Sequence, residues 1–306
     1  MAAGPISTGT HPKLLWPGVH EIWGQVYDEH PEEYPALYDV LDTDRAYEED
    51  LQVTPFGLAP IQPEGQGVSY DSELQGPISR YTPIGYGLGY IVTYMERINN
   101  LYKQVATDRA RANAFSMRQT IETVAAFLYN NAFVTTYFTT GDSAALCSTA
   151  HVNTSGGTWS NALSPAADLS EAALEDLTIQ IMGTTDDRGN LINVMPESLH
   201  IARQEWYNAN RILKSVLQSD SANNNINVLK ATNAFPKGIF MNHYFTVAHA
   251  WFIRTNIQKG MRFFWRVKPD LTQDNDFDTK NAKAASFMAF APGCTDPRGI
   301  FGSNGP

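Results

Sequence analysis

The sequence predicts an α+β fold organised around one long helix, and three observations carry that reading. Residues 94–132 contain neither glycine nor proline, and their apolar side chains recur at helical spacing. Ile98, Leu101, Val105 and Ala112 form one stripe, and Met117, Ile121, Val124 and Leu128 continue it. Residues 51–93 are the opposite: rich in glycine and proline, poor in large aliphatic side chains, and unable to build a core of their own. From residue 228 onward short β-prone pieces dominate. Among them Met261, Phe263, Trp265 and Val267 alternate with Arg262, Phe264, Arg266 and Lys268, the pattern of a half-buried strand.

Taken in order, residues 1–50 read as an N-terminal arm. Pro5, Pro12, Pro17, Pro31 and Pro35 interrupt any periodicity. Trp16, Trp23, Tyr27, Tyr34, Tyr38 and Tyr47 supply more aromatic surface than a disordered tail carries. Such a segment either wraps over another surface or packs on its own domain. Residues 51–93 predict an extended hairpin loop, with strands at 52–54, 67–70 and 90–93 and a turn at 64–67. Residues 94–195 predict the domain of the long helix, which would span about 55 Å if unbroken. A loop-rich stretch follows to residue 168. A second helix then starts after Ser170 as N-cap and ends near Gly183, before a turn at 187–190.

Residues 196–253 predict a further unit. It opens with a strand over 193–202 interrupted by Pro196. A third helix over 203–218 follows, with Trp206, Ala209, Ile212, Leu213 and Val216 on its apolar side. A polar loop over 219–227 leads to strands near 228–229, 239–240 and 251–253. Residues 254–306 are read as a return to the helix domain and a glycine-rich tail.

The chain has 306 residues, enough for about two domains. Hydrophobic residues make up 43% but charged ones only 18%, which leaves a polar, weakly charged surface suited to broad contacts. The formal net charge is -10. Residues 21–50 carry eleven acids and one base, Arg45, and so account for all of it. Tight nucleic-acid binding, which needs clustered lysine and arginine, is not expected. The cysteines Cys147 and Cys294 have no metal spacing and fit a reduced compartment. No secretion signal is recognised at the start of the sequence, and no apolar run approaches the roughly 20 residues that span a bilayer. No membrane partner is therefore expected.

Candidate chemical motifs fail on context. Gly85, Gly87 and Gly89 resemble part of a dinucleotide fingerprint but lack the buried strand before them. Asp274, Asp276 and Asp278 have calcium-loop spacing, yet Thr279 and Ala285 stand where glycine and glutamate are needed. The seven histidines are scattered and no nucleophile elbow is present. No cofactor, metal or catalytic residue is predicted. A hydrolase using His151 or His243 is the rival reading from another class, since a triad is spatial and not sequential.

Several stretches carry a family resemblance. Residues 56–58, 64–65, 68–71 and 86–89 resemble the extended-loop hairpin leading into the spine helix of the Mu-like major head subunit family. That family lies among the major capsid proteins of tailed phages, whose fold is shared with encapsulin shells and the herpesvirus capsid floor. Residues 145–151 resemble its Leu-Phe-Ser-x-x-His segment, with Cys147 where phenylalanine is commoner. Residues 187–199, 209–215, 224–228 and 251–253 are similar to further runs, so the likeness covers about residues 51–300.

The resemblance implies a structural protein that assembles with itself. Hexamers and pentamers would close an icosahedral head around double-stranded DNA, with a peripheral domain (94–195) and an axial domain (196–253). A net acidic wall would repel packaged DNA weakly. Portal protein, a separate scaffolding protein and a decoration protein are the further partners implied. The location implied is the virion, and the host cytoplasm during assembly. No lysine lies within residues 51–93, so a loop isopeptide crosslink is not expected, and no N-terminal scaffolding domain is expected either. An encapsulin-like cargo shell is the alternative.

The expected assembly contacts are Glu64, Asp71, Glu73 and Arg80 of the hairpin and Trp16 and Trp23 of the arm. Arg254, Lys259, Arg262 and Arg266 join them, from a run with no acid between residues 254 and 268. The acidic arm of a neighbouring subunit is expected to dock against this basic run.

Overall fold

The computed structural model describes residues 16–98, 102–217, 225–276 and 278–305, without the side chains of 16–19, 97, 98 and 102–106. The chain opens with helices α1 (Trp16–Glu29) and α2 (Tyr34–Leu37) and strand β1 (Asp39–Asp42). Strands β2 (Glu48–Val53), β3 (Gln75–Tyr81) and β4 (Ile84–Val92) lead to helices α3 (Tyr94–Ile98) and α4 (Tyr102–Asn130). Then come the short pair β5 (His151–Val152) and β6 (Thr158–Trp159), helix α5 (Glu171–Met182), β7 (Pro196–Ala202), α6 (Trp206–Lys214) and α7 (Val228–Ala231). The chain closes with β8 (Gly238–Asn242), β9 (Trp251–Thr255), β10 (Met261–Asn275), β11 (Ala282–Cys294) and β12 (Ile300–Ser303).

Two four-stranded sheets divide the body. The first runs β1-β10-β11-β4, and α4 lies across its inner face. Helical spacing explains the fit: Ala110, Ala114, Met117, Ile121, Ala125 and Leu128 are buried along one side of α4. They meet Phe263 and Trp265 of β10 and Met288 and Phe290 of β11, which alternate inward at period two. The predicted stripe holds at Met117, Ile121 and Leu128, Val124 is half-buried and Ala112 is exposed, whereas Leu101 and the side chains of Ile98 and Val105 lie outside the described residues. A capping box starts the helical run. Thr93 Oγ1 accepts the Glu96 N–H at 3.3 Å and Glu96 accepts the Thr93 N–H at 3.1 Å.

The second sheet runs β12-β9-β7-β8, with α5 and α6 packed on it through Leu174, Leu177, Ile181 and Ala209. Strand β7 is central and almost wholly buried, and Pro196 sits at its first position, where a missing N–H costs no ladder bond. Pro196 therefore starts the strand instead of interrupting it. Ser170 caps α5 through the Ala173 N–H, as expected.

Other expectations are corrected. The third helix ends at Lys214, short of residue 218. Residues 228–231 form a helix turn, capped by the Asn227 side chain, and no strand. Residues 67–70 form no strand, and part of the 219–227 loop lies outside the described residues. Residues 84–92, assigned to the hairpin, are an edge strand of the first sheet, so the hairpin proper is β2 and β3. The C-terminal piece is no loose tail, since β12 pairs with β9 in the second sheet.

The arm also differs from a segment reaching outward. Helix α1 lies along α4, with Trp23 buried and its Nε1–H donated to Asn113 at 2.9 Å. Tyr34, Leu37 and Tyr38 are buried too, and the Tyr38 hydroxyl donates to the Ala125 carbonyl at 2.6 Å. Of the two placements left open, packing on its own domain is what residues 20–42 do.

Candidate assembly surface

The β2–β3 hairpin closes at its base where Thr54 and Leu74 exchange backbone and hydroxyl bonds of 2.8–3.1 Å. Beyond it, residues 55–74 form no regular strand or helix. Proline and glycine prevent a ladder there. Phe56, Leu58, Ile61, Val68 and Tyr70 stand in solvent, Ile61 and Tyr70 at 95% and 97% exposure. A two-stranded hairpin is marginal on its own, and this one is tethered. Arg188 donates to Asp71 at 2.8 Å and also bonds the Ser72 carbonyl. The Gly57 and Ser72 N–H groups bond Asp71 as well, and these bonds, with Arg188, hold its carboxyl below the usual range. Glu64 and Glu73 are exposed on the same loop.

The predicted basic run does meet an acidic segment, but that of its own chain. Strand β1 joins β10 in parallel with Asp39 opposite Arg262, which lays the acids of residues 39–50 over the bases of 254–268. Arg254 bonds Asp39 at 2.9 Å and the Ala36 carbonyl at 2.9 Å. Arg262 pairs with Asp50, Lys259 reaches Asp50 at 3.8 Å, and Lys268 reaches Asp42 at 3.1 Å. Arg80 pairs with Glu49 across the hairpin and covers the Tyr47 ring at 3.9 Å. The expectation of a neighbour's arm at this run is corrected on this point. Partners within one chain need no association entropy, which makes the intramolecular pairing the easier one.

Of the expected contacts, Trp23 and Arg254 are thus buried in their own subunit, and Arg262, Lys259, Asp71 and Arg80 have partners within it. Arg266 is exposed at a register shift of β10. Trp16 lies in α1 and its side chain is outside the described residues.

The three spaced glycines turn out to flatten a sheet. Gly85, Gly87 and Gly89 oppose Ala289, Phe287 and Ala285 of β11 on the face turned away from α4. The Phe287 ring lies flat across this strip, so a Cβ at Gly85 would stand 3.0 Å from it. With Phe287 and Val267 exposed on that face, the strip is a smooth apolar surface beside the hairpin.

The catalytic candidates are structural. His151 is fully buried between Asp142 at 2.8 Å and Asn161 at 2.9 Å. Asn161 donates from Nδ2 to the carbonyls of Leu146, Pro297 and Ile300, which fixes its Oδ1 toward His151. Both ring nitrogens of His151 thus face side-chain oxygens, which hold the ring from both sides. Burial raises Asp142, but hydrogen bonds from His151, Thr140 and the Val152 N–H outweigh it and hold the carboxyl well below its ordinary range.

A second pair, Ser198 and His200 at 2.8 Å, is sealed inside the second sheet. Burial, then Arg254, pushes His200 down to about 3, so it is neutral and out of reach of any substrate. His243 is bonded to Glu33. Asp276 pairs with Lys283 at 2.8 Å. Both cysteines are free and buried, and burial pushes their thiols up. Among the described residues no acidic, histidine and cysteine cluster could hold a metal, and no helix is long and apolar enough to cross a membrane.

Sequence reasoning missed the buried pair Arg118 and Glu122 on α4. Their spacing of four residues, inside an apolar stripe, was the available signal.

Comparison with known proteins agrees with this architecture. Residues 78–302 match the family described as phage capsid protein. No curated protein sequence matches. Among solved structures, the fold is similar to the virus-like particle from Pyrococcus furiosus, with TM-score 0.53, 11% identity, and 94% of this chain and 98% of that chain covered. It is similar to the capsid of Myoviridae phage XM1, with TM-score 0.52, 9% identity, and coverage of 90% and 92%. It is also similar to the capsid of the empty GTA particle, with TM-score 0.51, 11% identity, and 88% of each chain. These likenesses establish the fold. The family match covers most of the chain, and by it the chain belongs to the phage capsid protein family, as a structural protein of the phage shell and not an enzyme.

Proposed function

We propose that this subunit closes an icosahedral head around double-stranded DNA by assembling as hexamers and pentamers, with the β2–β3 loop laid over a neighbouring copy. The observation that carries the reading is the loop itself. Five large apolar side chains stand in water on a segment that its own chain pins at the base and leaves uncovered beyond it. Burying each contributes about 1.5–3 kcal/mol, and closed symmetry repeats that gain at every copy. The flat strip of β4 and β11 is the kind of surface an extended loop can approach closely. The acidic loop residues Glu64 and Glu73, and Arg266 beside the strip, supply charge that directs the contact.

A portal, a separate scaffolding protein and a decoration protein are the further partners of such a head, and the host cytoplasm is where it would assemble. A cargo-filled shell is the second reading, and the match to a virus-like particle is what favours it. Electron microscopy and size-exclusion chromatography, on the protein expressed with and without its neighbouring genes, test the proposal. Shells or capsomer-sized rings are expected. A monomer or dimer under every condition overturns it, and shells that enclose an enzyme instead of DNA favour the second reading.

A further inference from the structure

The buried pair on α4 has a place in neither the core nor the loop contact. Arg118 and Glu122 are 3% and 1% exposed, one helical turn apart, under the link between α1 and α2. Glu122 accepts the Glu33 N–H at 3.0 Å through Oε1. It thereby caps α2 from another element, since the side chain of Glu33 at the N-cap makes no cap of its own. Glu122 Oε2 has no hydrogen-bond partner among the described residues. Arg118 bonds Glu32 at 2.7 Å and the Tyr27 carbonyl at 3.3 Å, and lies 4.2 Å over the Tyr27 ring. The carboxylate of Glu33 turns the other way, to the turn after β8, where it takes the His243 N–H at 2.9 Å and meets Nδ1.

The junction therefore sets three carboxylates, Glu32, Glu33 and Glu122, against one permanent cation, Arg118. The other titratable groups facing it are Tyr27 from α1, Tyr34 from α2, and His243 and Tyr244 after β8. With all carboxylates ionised the cluster is in excess of negative charge. A proton on Glu122 reduces that excess. A protonated Glu122 keeps Oε1 as the α2 cap and carries no buried charge on Oε2. An ionised one places charge on a buried, unbonded oxygen beside the Glu33 carboxylate, which Arg118 offsets only in part.

We propose that this junction is a proton-operated latch. Helices α1 and α2 are held on α4 and on the turn after β8 while the buried carboxyl of Glu122 carries a proton, and are loosened when it loses it. Burial first, and then the charge of Glu33, push Glu122 up to about 7 from 4.5. A carboxyl raised in the docked state supports docking fully below its ordinary value, near pH 4.5. That support is lost as pH rises to about 7 and stays lost above it. On the assembly reading above, a loosened segment is one that a neighbouring copy can reach. The latch itself is a property of the single subunit.

Hydrogen exchange of the full-length, unassembled chain, corrected for the intrinsic pH dependence of exchange, tests this. Amides of residues 20–37 are expected to lose protection roughly 50-fold between pH 5 and pH 8. Glu122→Gln, which keeps the cap and cannot ionise, abolishes that loss. Glu33→Gln, which removes the neighbouring charge, makes it smaller. Amides of β9 and β10 report whether the change is local, and are expected to stay level. Constant protection in the parent chain, the same loss in Glu122→Gln, or a parallel loss in β9 and β10 overturns the latch. None of these outcomes depends on whether shells form.

Discussion

At the scale of single residues, Asn161 is a side chain held on every side. Its amide satisfies three buried carbonyls, the Ser148 N–H and His151 at once, and so ties the stretch around residue 147 to β12. Asn161→Ala leaves those groups without partners in a place water does not reach. It is expected to cost about 2–4 kcal/mol, given the penalty for each unsatisfied buried group, and urea denaturation of the unassembled subunit measures it. Asp142 adds a pH term of opposite sign to that of Glu122. Its carboxyl is depressed in the folded chain, so its contribution is present above the ordinary carboxylate value of 3.8 and is lost as pH falls below it. The acid limb of the stability profile is expected to flatten in Asp142→Asn, with lower stability at neutral pH. An acid limb equal to that of the parent would show that His151 does not depend on this partner.

At the scale of elements, the parts that were legible in the sequence are those whose own periodicity decides them. The α4 stripe at Met117, Ile121 and Leu128, the Ser170 cap and the inward alternation of Phe263 and Trp265 are local patterns, and the fold keeps them. Ile121→Ala is expected to cost about 2–5 kcal/mol as a core truncation, against about 1 kcal/mol for Ser170→Ala at a cap.

What was not legible depends on residues far apart in the chain. The arm folds back because Tyr34, Tyr38 and Trp265 share one core and β1 adds to β10, more than 200 residues away. Pattern alone leaves a short segment such as 39–42 without a partner. For the same reason the basic run read as a docking surface when its acids are supplied in cis. The glycine spacing was rejected as a nucleotide motif, but its structural cause at Gly85, the Phe287 ring, lies on β11 and leaves no local trace. Arg262→Glu is accordingly expected to destabilise the isolated subunit, through repulsion with Asp50, and thermal unfolding of that subunit checks it. An unchanged melting temperature with lost assembly would return Arg262 to the surface.

At the scale of the whole molecule, the fold separates what holds the subunit from what it offers to others. Both sheets are closed over buried cores, and the ionic seam between residues 39–50 and 254–268 is internal. The loop between β2 and β3 contributes almost nothing to either core. Changing it should therefore leave the subunit intact and act only on association. In Leu58→Ser, Ile61→Ser and Tyr70→Ser combined, three nearly fully solvated apolar groups are removed while Asp71 and Arg188 keep the loop base in place. Surface changes of this kind move stability by no more than about 0.5 kcal/mol, so the melting temperature of the unassembled chain should stay where it is. Shell formation should fail, because each subunit–subunit contact loses several kcal/mol of apolar burial and the loss recurs at every copy. Sedimentation velocity and electron microscopy on parent and variant, expressed alike, give the comparison. Shells of normal yield from the triple variant would mean that the loop's exposed side chains are not what joins the copies, and that the contact must be sought on the flat strip of β4 and β11 alone.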